Sequence, residues 1–71
     1  MMEDEIRGDI RRLLKTFGVK ADQTIMAYLA AHAEGEPLRL RVTLEDVTDY
    51  GPNPPAEKLS FTVDGEVRRS A

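Results

Sequence analysis

Apolar residues recur at helical spacing through the first part of the chain. Ile6, Ile10, Leu13, Leu14 and Phe17 fall at i, i+4, i+7, i+8 and i+11, one face of an α-helix. The spacing predicts a helix over about residues 3–17. Glu3, Asp4 and Glu5 in its first turn and Arg11, Arg12 and Lys15 in its last two suit the helix dipole. Gly18 is placed as its C-terminal stop. Asp22 offers an N-cap for a second helix over about 22–33, whose inner stripe is Ile25, Met26, Leu29 and Ala33 with Tyr28 beside it. Gly35 and Pro37 prevent its continuation.

The period then changes from helical to twofold. Leu38, Leu40, Val42 and Leu44 alternate with Arg39, Arg41, Thr43 and Glu45, which predicts a strand over 38–45 with one apolar face. Residues 46–57 hold Gly51, Pro52, Pro54 and Pro55 and read as a loop. Leu59, Phe61 and Val63 predict a second strand over 58–63. Asp64-Gly65 suits a two-residue hairpin turn, leaving 66–69 for a short third strand. The expected fold is one small α+β domain over residues 1–71. Two N-terminal helices pack on a small antiparallel sheet of two or three strands, ααββ or ααβββ.

Size turns this outline toward self-association. A chain of 71 residues buries only about 60% of the surface its unfolded form exposes. Small domains recover stability from disulfides, metal, very regular packing or oligomerisation. Cysteine is absent, which removes disulfides, thiol nucleophiles and cysteine-ligated metal sites. One histidine, His32, is a poor basis for a metal centre, and no cofactor is expected. A homodimer that joins exposed sheet edges or shares a helix layer is the natural way to enlarge the core. The net charge of −3 gives only a weak pull on nucleic acid or anionic lipid. The apolar stretch from Thr24 to Ala33 falls well short of the roughly 20 residues that cross a bilayer. Acidic residues directly after Met1-Met2 are the wrong sign for a signal peptide, so the expectation is cytoplasmic, without a membrane partner.

Three groups of residues carry candidate chemistry. Arg11, Arg12, Lys15 and Lys20 form a basic surface able to meet phosphates, although a solvated face suited to the helix dipole explains them more simply. Arg39 and Arg41 share one face of the first strand and offer a contact for an anion or an acidic partner. Cross-strand pairing with Asp64 or Glu66 is their plainer role. In the loop, Asp49, Tyr50, Pro52, Asn53 and Pro54 form a candidate interaction surface, because proline lowers the entropy lost on binding. Glu45, Asp46 and Asp49 carry hard-cation chemistry, but without the EF-hand spacing. His32 stands apart from any serine or paired carboxylate, and the five glycines are isolated, so neither a catalytic nor a phosphate-cradling motif is formed.

From Ile10 to Leu29, a helix, a turn at Phe17-Gly18-Val19 and a second helix, followed by strands, resemble the latter part of a winged-helix domain. That resemblance implies a DNA-binding protein whose second helix enters the major groove. The chain departs from the pattern in lacking a leading helix, in placing Ile25 and Tyr28 one residue late, and in offering no arginine on the second helix. The expected function is a non-catalytic interaction or regulatory module that self-associates and binds a protein partner. DNA binding is the alternative, and small-ligand or metal binding the third.

Overall fold

Residues that the spacing divides between two helices form one. The helix α1 spans Met2–Ala31, 30 residues without a break, in a computed structural model that describes residues 1–69. The expectation of two helices is therefore corrected, and the reason lies at Gly18. A glycine inside a helix costs about 1 kcal/mol relative to alanine. Stopping there and restarting at Asp22 would strand about four carbonyls and four N–H groups at the new ends. Both sides of Gly18 are also tied together by pattern. Ile6, Ile10, Leu14, Phe17, Ala21, Ile25 and Tyr28 follow steps of four, four and three, so one apolar stripe runs past the glycine. Asp22 lies in the helix interior, and nearby Thr24 donates its hydroxyl to the Lys20 carbonyl at 2.8 Å, as an interior threonine does.

The helix ends at Ala31, two residues before the predicted limit. His32 N–H donates back to the carbonyls of Tyr28 and Leu29, and the His32 ring stacks on Tyr28 with centroids 4.3 Å apart. Gly35, at φ 131°, then takes a backbone conformation closed to L side chains, with the Arg69 side chain 3.5 Å from where a Cβ would stand.

Two strands follow, in antiparallel register. β1 is Leu38–Glu45, the predicted span, and β2 is Ser60–Val67. The ladder runs from Leu38 opposite Val67 to Glu45 opposite Ser60. Asp64-Gly65 is not a turn, and residues 66–69 form no third strand. Both Asp64 and Gly65 belong to β2, opposite Arg41 and Leu40. Positive φ, which the turn would need, is confined to Gly35 and Gly51 among the described residues. The chain reverses through the loop after Asp46, whose base is closed by the Asp46 N–H donating to the Leu59 carbonyl at 2.9 Å.

Alternation sorts the hairpin into two faces. Leu38, Leu40, Val42 and Leu44 share one with Phe61, Val63 and Val67. Arg39, Arg41 and Thr43 share the other with Glu66, Asp64 and Thr62. The fold is thus a small α+β arrangement of one helix and a two-stranded sheet, and the chain divides into two units, Met1–Glu34 and Gly35–Ala71. None of the described residues is buried. Among them, no helix is long and apolar enough to cross a membrane.

Candidate functional site

The loop is organised by its acids. Asp46 accepts the Thr48 N–H at 2.9 Å and the Tyr50 hydroxyl. Asp49 accepts the Gly51 N–H at 2.9 Å, and Asn53 N–H donates to the Tyr50 carbonyl at 3.3 Å. These are side-chain turns of the kind that aspartate favours, with Gly51 at φ 64° supplying the left-handed step. Hydrogen bonds from the Thr48 side chain, then from Tyr50 and the Thr48 N–H, hold the Asp46 carboxyl at about 2, below its ordinary 3.8. The same Asp46 bond raises the Tyr50 phenol. Asp46, Thr48, Tyr50, Pro54, Pro55 and Lys58 line a concavity of about 250 Å³. Of the five predicted loop residues, Tyr50 and Pro54 reach it. Asp49, Pro52 and Asn53 do not line it. Among the described residues, no three acids or histidines gather to hold a metal ion, so Glu45, Asp46 and Asp49 are not brought together.

Arg41 is paired across the sheet. Its Nε donates to Asp64 Oδ1 at 2.9 Å and its terminal nitrogen to Oδ2 at 3.4 Å, a forked geometry. Arg39 faces Glu66 in the ladder. The two arginines share one face, as the alternation requires, with carboxylates opposite both.

The basic residues share a helix but not a face. At about 100° per residue, Arg11 and Lys15 are neighbours, whereas Lys20 lies about 180° around the axis from Arg11. Arg12 points away from both and holds Asp9 at 3.1 Å. The helix-turn-helix implied by the winged-helix resemblance is absent, because Ile10 to Leu29 is continuous helix.

What sequence reasoning missed is the length of the apolar stripe. Ile6, Ile10 and Phe17 stand about half exposed, at 50, 52 and 50%, and Leu13 and Leu14 more so. The eleven-residue spacing that continues past Gly18 was the available signal. Leu59, Phe61 and Val63 leave a second exposed apolar surface in the other unit.

No family model, no curated protein and no solved structure matches the chain.

Proposed function

We propose that this chain is a non-catalytic interaction module that self-associates and, once assembled, presents its loop and sheet to a protein partner. One observation carries the reading. Two amphipathic elements, α1 and the hairpin, leave their large apolar side chains exposed. An isolated helix draws most of its stability from packing of its apolar face, and a lone two-stranded hairpin is marginal in water. Each therefore calls for a partner surface. The titratable groups the structure brings together, Asp46 with Tyr50 and Arg41 with Asp64, are joined in exposed hydrogen bonds. Such pairs fix a loop and a ladder rather than poise a group for proton transfer.

The test is the mass of the chain by sedimentation across the micromolar range, read beside its melting temperature. Self-association requires a mass above one chain and a melting temperature that rises with concentration. A single-chain mass with a concentration-independent transition refutes it.

A further inference from the structure

We infer that a second copy of this chain covers the apolar stripe of α1, antiparallel to the first, with the two-fold axis level with Leu14 and Lys15. The inference rests on the self-association proposed above and names its surface.

Charge on the two flanks of the stripe sets the direction and the register. At about 100° per residue, Arg7 and Asp22 fall on one flank and Asp9 and Lys20 on the other. An antiparallel two-fold pair places each flank against the same flank of its copy. Arg7 and Asp22 are centred between Leu14 and Lys15, and so are Asp9 and Lys20. One axis therefore sets Arg7 beside Asp22 of the second copy and Asp9 beside its Lys20, twice each by symmetry. Lys20 and Asp22 enter no ion pair within the chain among the described residues, whereas Arg7 and Asp9 hold only exposed pairs with Glu3 and Arg12, at 3.4 and 3.1 Å. A parallel pair in register gains none of this. It sets Asp9 and Lys20 beside Leu14 and Ile25 of the other copy, and levels the acids of the two first turns with each other.

Side-chain size gives the same answer independently. The stripe is bulky in its first half, at Ile6, Ile10, Leu14 and Phe17, and narrows to Ala21 and Thr24 in its second. With the axis at Leu14, Ile6 meets Ala21 and Thr24 of the second copy, and Ile10 meets Phe17 and Ala21. Large against small keeps the two axes evenly spaced, as packing of ridges into grooves requires. The overlap covers nearly all of α1, about 40 Å of contact at 1.5 Å per residue.

Because the chain has no cysteine, single cysteines report the arrangement directly. Leu14→Cys, Ile6→Cys and Ala21→Cys are oxidised under native conditions, with helicity and sedimentation mass measured on each. The inference requires Leu14→Cys to link to itself, Ile6→Cys and Ala21→Cys to link only when mixed, and Lys20→Asp to weaken the dimer about tenfold. The double variant D9K/K20D, which restores opposite charges, should recover most of that loss. If the chain is dimeric but Ile6→Cys and Ala21→Cys each link to themselves, the helices are parallel and the inference fails while the proposed function stands. A dimer in which no helix cysteine links also overturns it, placing the contact elsewhere. A single-chain mass at all concentrations overturns both.

Discussion

Tyr50 donates its hydroxyl to the carboxylate of Asp46, four residues earlier, tying the start of the loop to its aromatic side chain. With the Thr48 side chain contributing most, these bonds keep Asp46 ionised down to about 2. A carboxyl depressed in the folded state contributes stability above its unfolded value, and loses that contribution as pH falls through the folded one. The contribution of Asp46 is thus whole above about pH 4 and fades toward pH 2. Carboxyl NMR on the Tyr50→Phe variant should show the Asp46 midpoint moving up toward 3.8. An unmoved midpoint would mean that the phenol does not reach the carboxylate in solution.

Arg41 and Asp64 are forked together but stand 72% and 63% exposed. Exposed pairs contribute well under about 1 kcal/mol, and salt screens them. A double-mutant cycle with Arg41→Ala and Asp64→Ala should give a small coupling that shrinks as salt rises. A large, salt-insensitive coupling would require the pair to be buried by something else.

Gly65 lies in β2 opposite Leu40, on the apolar face, with open space where its Cβ would be. Gly65→Val should stabilise the hairpin by up to about 1 kcal/mol, since valine favours strands and glycine does not. Had Asp64-Gly65 formed a turn with positive φ, the same change would be strongly destabilising. Urea unfolding of the variant separates the two signs.

Gly18 tests the continuity of α1. Nothing lies within 4 Å of its would-be Cβ. Gly18→Ala should raise helicity and stability by about 1 kcal/mol, and Gly18→Pro should cost about 3 kcal/mol. Circular dichroism reads both. If proline were harmless at 18, residues 17–19 would be a joint between two helices.

Phe17 sits in the middle of the proposed helix pair. Phe17→Glu should return the chain to a single-chain sedimentation mass while leaving the β1–β2 ladder formed, as judged by amide exchange of Val42 and Val63. A dimer that survived this change would not be held through the stripe.

Much of this architecture was legible. The strict alternation from Leu38 to Glu45 gave β1 its limits, because only a strand places Leu, Leu, Val and Leu on one side in eight residues. The pairing of Arg41 with Asp64 was legible as cross-strand chemistry. Two local signals misled, and for the same reason. Gly18 reads as a stop and Asp64-Gly65 as a turn when judged by what each residue permits. What decided both was the neighbouring pattern. The stripe from Ile6 to Tyr28 is continuous only in an unbroken helix, and Phe61, Val63 and Val67 share a face only if β2 runs through Gly65. The Asp46–Tyr50 bond was less accessible, since it depends on the fold of a proline-rich loop that periodicity does not describe.

The four-four-three rhythm of α1 makes its length a counted quantity. Inserting one residue near Gly18 would rotate everything beyond it by about 100° and slide it about 1.5 Å along the axis. Ile25 and Tyr28 would leave the side occupied by Ile6 and Phe17. Four inserted residues would leave an error of only about 40°, and eleven about 20°. The segment between Asp46 and Leu59 carries no such arithmetic. Gains and losses of sequence over generations should therefore collect between the strands, while the helix is inherited whole.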